Sequence, residues 1–287
     1  MKRYRAAVVG GGIAGYTAAL ALKNLKVDCV WFGEKGFGEK LRLAEGVRNF
    51  PSFSGRGEEL ASLLEAQRER EGVTLTEARI DGVYAQSGGY ILTAGKDSFF
   101  AEAVVLCTGV ETAGAIKGER EFLGRGVSYC AVCDGALYRG KKIAAVLSSE
   151  KYAEEVEYLS GFAEEVHAFY RGTMSAFRAS NIILHTEKPE EISGSLRVEK
   201  IVAGGREIPV SGVFFLRDSV PPAALVGGLK TADGHVAVGR DCSTNLKGLF
   251  AAGDVTGRPY QYVKAAGEGL VAAYAAADYL RTSGKAE

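Results

Sequence analysis

The chain carries no net charge, no cysteine-dense framework and no uninterrupted apolar run, and each deficit removes a class of protein. Its 35 basic and 35 acidic residues cancel, so no overall field draws it to nucleic acid or to an anionic membrane. Five cysteines are an odd number, and only Cys130 and Cys133 are closely spaced, which is not a secreted disulfide framework. Cys29, Cys107 and Cys242 are dispersed, and His167, His185 and His235 have no ligand spacing, so the close pair lacks the partners a zinc site needs. Residues 6–22 form an apolar stretch behind the basic start Met1-Lys2-Arg3-Tyr4-Arg5, but Gly10, Gly11, Gly12 and Gly15 interrupt it. The stretch reads as strand, turn and helix rather than signal peptide or membrane anchor, and a cytoplasmic protein is expected. The last deficit is local. Residues 142–152 read as strand, turn and helix, yet contain no glycine where a phosphate cradle would be expected.

What is present is an ordinary globular composition, 47% hydrophobic and 24% charged, in 287 residues, enough for two domains. Residues 6–9 read as a buried strand, 15–23 as a helix and 27–32 as the next strand, a βαβ unit of about 30 residues. Residues 58–71 have helical spacing with Leu60, Leu63 and Leu64 inward. Alternating strands are expected through 83–92 and 103–106. A second strand-helix-strand unit follows at 143–147, 153–160 and 166–170. Later strands are expected at 210–216 and 236–238 in an inserted segment, then at 249–252, before an Ala-rich helix over 262–280.

Gly10-Gly11-Gly12-Ile13-Ala14-Gly15 satisfies GxGxxG between a strand and a helix. The first glycine permits the tight turn, the second admits a pyrophosphate, and the third lets helix and strand approach. The helix start offers N–H groups and a favourable dipole to phosphates. Glu34, behind Gly33, is placed to accept ribose hydroxyls. This motif does not separate FAD from NAD. A second segment bears on that choice. Residues 244–254 end a strand in Gly253-Asp254, where the glycine leaves room and the carboxylate can bond a ribityl hydroxyl.

Cys130-Ala131-Val132-Cys133-Asp134-Gly135 is a CxxC at an expected helix start. Two cysteines so spaced can close a small disulfide, and a helix dipole lowers thiolate pKa, which suits exchange chemistry. Asp134 can move protons or cap the helix that follows. Cys29 and Cys107 read as small core residues, and Cys242 has no assigned role.

Taken in order, these segments resemble the low-molecular-weight thioredoxin reductase family of FAD flavoproteins. The resemblance rests on GGGIAG at 10–15, Asn49-Phe50-Pro51, Cys107-Thr108-Gly109, residues 124–135 around the CxxC, and AAGD at 251–254. It implies an α/β fold of two Rossmann-like three-layer domains. The FAD domain would be discontinuous, 1–112 and 241–287, with a smaller CxxC-bearing domain, 113–240, inserted as a degenerate NADPH-type domain. It implies a homodimer and FAD as cofactor. The expected cofactor contacts are Gly10, Gly12, Ile13, Ala14, Gly15, Glu34, Lys40, Asn49, Ile80, Thr108, Gly109, Gly253, Asp254, Tyr260 and Gln261. Cys133 would face the flavin, Cys130 would attack the partner disulfide, and Asp134 would serve as acid/base. Exchange would run through a mixed disulfide.

The chain departs from that family in the nucleotide half. The family's GGGDSA is replaced by Leu147-Ser148-Ser149-Glu150-Lys151-Tyr152, which puts side chains and a negative charge where a pyrophosphate would lie. The family's His-Arg-Arg-x-x-x-Arg, which grips the 2′-phosphate, is matched by residues 172–178, where only Arg178 survives. Tyr260 stands where the family commonly has Arg, either stacking near the isoalloxazine or as an ordinary packed tyrosine. Lys40 falls where the family has a Gly-Gly-Gln segment, either beside the flavin or as a surface cation.

The expectation is therefore a flavoprotein that takes electrons from a donor other than a pyridine nucleotide and passes them through FAD and the dithiol to thioredoxin or a thioredoxin-like protein. Ferredoxin is the expected donor, because the sequence resembles the ferredoxin-dependent branch that lacks both NADPH motifs. The alternatives are an FAD-dependent dithiol oxidase using O₂, an atypical thioredoxin reductase with residual NAD(P)H use, and a redox sensor without turnover.

Overall fold

The apolar run that follows the basic start ends strand β1 (Lys2–Val9), whose residues 6–9 are buried as in a sheet covered on both faces. The glycine turn leads into α1 (Ile13–Asn24), and the chain returns as β2 (Cys29–Gly33), parallel to β1. The computed structural model describes residues 1–42, 44, 46–110, 116–129, 131–173, 177–217 and 221–283. Helix α2 (Gly57–Arg70) buries Leu60, Ala61 and Leu64, but Leu63 is 59% exposed, contrary to the helical reading of that face. Strand β3 (Leu75–Glu77) pairs with β2. The alternation over 83–92 is a hairpin: β4 (Gly82–Gln86) and β5 (Gly89–Ala94) pair antiparallel around Gly88, whose φ of 79° suits glycine. Strand β6 (Asp97–Leu106) is long enough for two duties. Residues 97–101 pair with β5, and residues 99–106 pair with β1.

Contacts divide the chain into two compact units, Met1–Val110 with Pro221–Glu287, and Glu111–Val220. In the second unit, β7 (Val127–Ser128), β8 (Lys142–Leu147), β9 (Glu165–Phe169), β10 (Ile182–His185) and β14 (Val213–Leu216) form a parallel sheet ordered β10-β9-β8-β14-β7. Helix α3 (Ala153–Ser160) covers one face, burying Val156 and Leu159 with Ile143, Ala145, Leu147, Val166 and Ala168. Strands β11 (Pro189–Ser193), β12 (Lys200–Ala203) and β13 (Arg206–Pro209) make a separate antiparallel sheet in the same unit.

Alternation along β9 turns His167 to the opposite face, where His185 Nε2–H donates to His167 Nδ1 (2.9 Å). His167 Nε2–H donates to Glu165 (2.9 Å), which also binds Lys142, while Glu187 beyond His185 is held by Arg206. Burial pushes both imidazoles below their ordinary value of 6.5, outweighing the nearby carboxylates. Below that value the unfolded chain takes up protons that the folded chain resists, so stability falls with acid. The unfolding midpoint is expected to drop between about pH 7 and about pH 5.5. His167→Gln should flatten that slope, and an unchanged slope would remove the histidine pair as its cause.

The chain re-enters the first unit at Pro221, so residues 221–240 belong there and not in the insert as the sequence suggested. Their apolar side chains dictate this. Leu225, Val226 and Leu229 are buried, Val226 bridges to Val83, and Asn245 binds the backbone at Lys230 and Gly228. The strand expected at 236–238 is one arm of a short hairpin, Thr231–Ala232 with His235–Val236. Strand β15 (Leu249–Ala251) then adds parallel to the C-terminal half of β6, completing the order β3-β2-β1-β6-β15 at that end. The final helix α4 (Tyr262–Ser283) lies on α1 through small residues: a Cβ at Gly269 would stand 2.3 Å from the Ala14 carbonyl oxygen. Among the described residues, no helix is long and apolar enough to cross a membrane.

Candidate active site

Four parallel strands of the first unit end in one row. Val9 pairs with Phe32 and with Leu106, and Leu106 pairs with Ala251. The next residues are Gly10, Gly33-Glu34, Thr108-Gly109 behind Cys107, and Gly253-Asp254 behind Ala252. Backbone bonds tie this edge together: Gly10 N–H to Phe32 O (2.8 Å), Cys107 N–H to Val9 O (2.7 Å) and Ala252 N–H to Leu106 O (2.9 Å). Because β2 and β6 flank β1 on opposite sides, the strand order reverses there, which opens a crevice beyond the carboxyl ends.

The glycines of the first turn serve different ends. Gly10 has φ 127°, and a Cβ there would meet the Cys107 carbonyl oxygen at 2.1 Å, so this residue is required by the fold itself. Gly12 has φ −81°, and a Cβ there would meet nothing within 4 Å, so its lack of a side chain leaves open space at the start of α1. No side chain caps that helix, and its first-turn N–H groups have no intrahelical acceptor. Trp31, 2% exposed, donates its indole N–H to Gly10 O (2.8 Å) and holds the turn. Gly33 lets β2 touch this turn, since a Cβ there would be 2.5 Å from Gly11 Cα, and Glu34 follows it on the exposed side.

Among the described residues, Thr108 Oγ1 is buried without a hydrogen-bond partner, and nothing lies within 4 Å of where a Cβ on Gly109 would stand. Gly253 has φ 90° and donates its N–H to Glu268 (2.9 Å). Lys264 Nζ binds Gly253 O, Gly257 O and Thr256 Oγ1, each at 2.8 Å, and pairs with Glu268 (3.1 Å). This pair locks the turn that presents Asp254, which is half-buried. Asn49 Nδ2 donates to Gln261 Oε1 (2.7 Å), and Tyr260 bonds His235 Nε2 through its hydroxyl (2.6 Å). Ile80 is buried just before β4. Lys40 lies on the short helix Glu39–Arg42, but its side chain is outside the described residues.

In the second unit the dithiol segment runs into the short helix Ala131–Asp134. Cys130 and the Cys133 side chain lie outside the described residues. Their neighbours do not. Ser128 hydroxyl donates to Asp134 Oδ2 (2.7 Å), and Ala131 is 1% exposed. Asp134 makes no capping bond to the 3₁₀ turn Gly135–Tyr138 that follows, so its carboxylate is engaged by Ser128 instead. The other cysteines are free thiols. Burial pushes Cys29 up to about 12 and Cys242 up to about 11, and raises Cys107 further, so all three stay protonated and unreactive near neutral pH.

In the glycine-free turn after β8 the backbone bonds to neighbouring groups of the chain. Leu147 is 7% exposed, and Ser148 N–H binds Leu216 O (3.0 Å). Ser149 Oγ accepts the Lys151 N–H at the start of the 3₁₀ turn Glu150–Tyr152, and the Tyr152 ring, 4% exposed, joins the core under α3. Arg178 is exposed, its backbone N–H bound to Glu157 Oε1 (2.6 Å); residues 174–176 of the matching phosphate segment lie outside the described residues.

Sequence reasoning passed over Trp31, Lys264, Glu268 and Ser128. The Lys264/Glu268 spacing of four on a helix was a readable pair. Trp31 and Ser128 carry no local signal, because their partners are a backbone carbonyl and a residue of a different turn.

Two α/β units, one with an open glycine turn and the other carrying the CxxC segment, make a two-domain α/β architecture. Residues 4–269 match the pyridine nucleotide-disulphide oxidoreductase family, and the chain belongs to it. A ferredoxin-flavin thioredoxin reductase from Clostridium acetobutylicum superposes with a TM-score of 0.91 at 38% identity, covering 98% of this chain and 99% of that one. A thioredoxin reductase from Listeria monocytogenes is 33% identical over 307 residues, 97% of this chain and 94% of the relative. A bifunctional thioredoxin reductase/thioredoxin from Mycobacterium leprae is 34% identical over 299 residues, where the chain spans 65% of that longer protein. The chain is thus an oxidoreductase of the thioredoxin-disulfide reductase type, and the family's cofactor is FAD. The residues present fit that group. The open space at Gly12 and Gly109, the uncapped start of α1 and the orphaned Thr108 hydroxyl lie along one crevice, as a dinucleotide requires.

Proposed function

We propose that this chain passes electrons from a ferredoxin-type donor, through FAD and the Cys130–Cys133 dithiol, to thioredoxin or a thioredoxin-like protein. The observation that carries the donor half is the glycine-free turn after β8. Where an NADPH pyrophosphate needs bare backbone N–H groups, Ser149 accepts the Lys151 N–H and Tyr152 fills the core. Losing charged phosphate donors costs about 1.5–3 kcal/mol each, so two such losses weaken a nucleotide by roughly a hundredfold or more. The likeness to a ferredoxin-flavin thioredoxin reductase supports the same donor class.

The cradle would hold FAD with the N–H groups of Gly12, Ile13 and Ala14 on the pyrophosphate, with Glu34 on a ribose and with Asp254 on the ribityl chain. Gly10 and Gly15 shape the turn, while Ile80, Asn49, Thr108, Gly109, Gly253, Tyr260, Gln261 and Lys40 line the remainder. FAD, when bound, supplies the electron pair that opens the Cys130–Cys133 disulfide. Cys130 thiolate then attacks the partner disulfide, and Cys133 thiolate displaces the reduced partner from the mixed disulfide. Asp134, held by Ser128, carries the proton to the departing thiolate. A reducing, cytoplasmic setting agrees with three free thiols elsewhere in the chain. A homodimer is supported by the apolar stripe on α4, where Val263, Leu270, Val271 and Tyr274 are 38–52% exposed on one face.

The test is anaerobic. The FAD-containing protein is mixed in turn with NADPH, NADH and reduced ferredoxin, and flavin absorbance is followed. Ferredoxin is expected to bleach the flavin at least about a hundredfold faster than either nucleotide, following the lost phosphate donors. Fast bleaching by NADPH would overturn the donor assignment. Rapid reoxidation in air coupled to disulfide formation would instead favour the oxidase.

A further inference from the structure

The second unit buries a charged cluster, one member of which directly precedes the CxxC in sequence, that the reaction above leaves unused. Glu119 is 1% exposed and Arg217 7% exposed, yet they form an ion pair. Glu119 Oε1 also accepts the Tyr129 hydroxyl, and its Oε2 accepts the Ile116 N–H (3.1 Å). Arg217 Nη2 reaches the Tyr129 oxygen (3.2 Å), and its guanidinium lies 5.0 Å over both the Tyr129 and Phe215 rings. Those rings stack at 5.6 Å. A buried ion pair is costly unless its hydrogen bonds are satisfied, and here each carboxylate oxygen is engaged. Its position gives the cluster a task. Tyr129 immediately precedes Cys130, and Arg217 immediately follows β14.

We propose that Tyr129, Glu119 and Arg217 are positioning residues that set the reduction potential of the Cys130–Cys133 pair by holding the chain on the N-terminal side of Cys130. The proposal rests on the dithiol reading above. Reduction of the pair breaks one S–S bond and adds two electrons and two protons to give two thiols. How readily the bond re-forms depends on how often the two sulfurs meet, hence on the freedom of the backbone that carries them. Three anchors limit that freedom: Tyr129 on the buried cluster, Ser128 on Asp134, and the buried Ala131. Releasing the first gives the dithiol form more conformations while the disulfide form stays constrained by its own bond. The equilibrium then moves toward the dithiol, and the potential becomes less negative.

The test uses the FAD-containing wild type, Tyr129→Phe and Arg217→Lys in anaerobic dithiothreitol redox buffers. Each dithiothreitol that closes its ring gives two electrons and two protons to one Cys130–Cys133 bond. Thiols are trapped with a maleimide and counted by mass. Tyr129→Phe keeps the stacked ring and removes only the hydroxyl, so it decides the matter alone if Arg217→Lys does not fold. The expected shift toward the dithiol is about tenfold, about 30 mV, with Arg217→Lys moving in the same direction. A folded, flavin-containing Tyr129→Phe with an equilibrium within about twofold of wild type would overturn the proposal. A wild type that never exchanges one disulfide for two thiols would overturn the dithiol reading itself, a separate and distinguishable failure.

Discussion

Cys130→Ser is expected to leave a protein whose flavin still bleaches with its donor but which no longer reduces thioredoxin. The attack on the partner disulfide needs a thiolate, and a serine hydroxyl is neither ionised near neutral pH nor nucleophilic toward sulfur. The loss should be at least about a thousandfold, as for removal of other catalytic nucleophiles. No cysteine outside the CxxC is suited to substitute. Cys107 and Cys242 are buried, and burial raises both thiols and Cys29 with them. Thiols released on thioredoxin, measured anaerobically beside flavin absorbance, check the result. Cys133→Ser provides the complement: Cys130 still attacks, nothing resolves the mixed disulfide, and a covalent adduct with thioredoxin accumulates on a non-reducing gel. If Cys130→Ser accumulates the adduct while Cys133→Ser forms none, the two cysteines have exchanged roles.

Gly12→Val is expected to give a folded protein without flavin. The backbone at Gly12 is extended, with φ −81° and ψ −175°, which valine adopts readily, and a Cβ there meets nothing within 4 Å. The fold meets no clash at the Cβ. Added methyls instead occupy the space at the start of α1 where a pyrophosphate needs close approach to backbone N–H groups. Flavin affinity should fall by about a hundredfold or more, on the scale of the charge-assisted bonds displaced. Gly10→Ala is the contrasting control. Its Cβ would lie 2.1 Å from the Cys107 carbonyl oxygen at φ 127°, so overpacking and backbone strain, each about 1–3 kcal/mol, act on the fold itself. Flavin content per folded protein and the unfolding midpoint of the apoprotein separate the two. A Gly12→Val variant that retains its flavin would place the dinucleotide elsewhere.

Much of the geometry of the glycine turn and strand ends was legible in the sequence because its parts are local. GGGIAG follows a strand and opens a helix, and each glycine answers to a nearby steric demand. The same holds for Gly253-Asp254 after β15. The return of residues 221–240 to the first unit was not legible. Nothing in the short apolar run around Leu225 and Val226 says which sheet will cover it, and Val83 lies more than a hundred residues earlier. Leu63 was misread for a related reason. It directly precedes Leu64 in sequence but falls outside the arc that Leu60, Ala61 and Leu64 share, and only the packing of α2 shows which leucines it buries. The anchoring of Asp134 by Ser128 contradicted the capping alternative, a choice that spacing could not make.

The linear order of residues was enough to determine that the second nucleotide turn has no glycines, because the absence of a side chain is a property of one residue and needs no neighbours to be read. Only the tertiary structure decided what became of that turn: Ser149 bonding the Lys151 N–H, Tyr152 under α3, and Ser148 on Leu216. The same division applies to the buried cluster. Glu119, Tyr129 and Arg217 lie up to 98 residues apart in the chain. Each is an ordinary polar residue until folding removes them from water together, and desolvation makes their mutual hydrogen bonds obligatory.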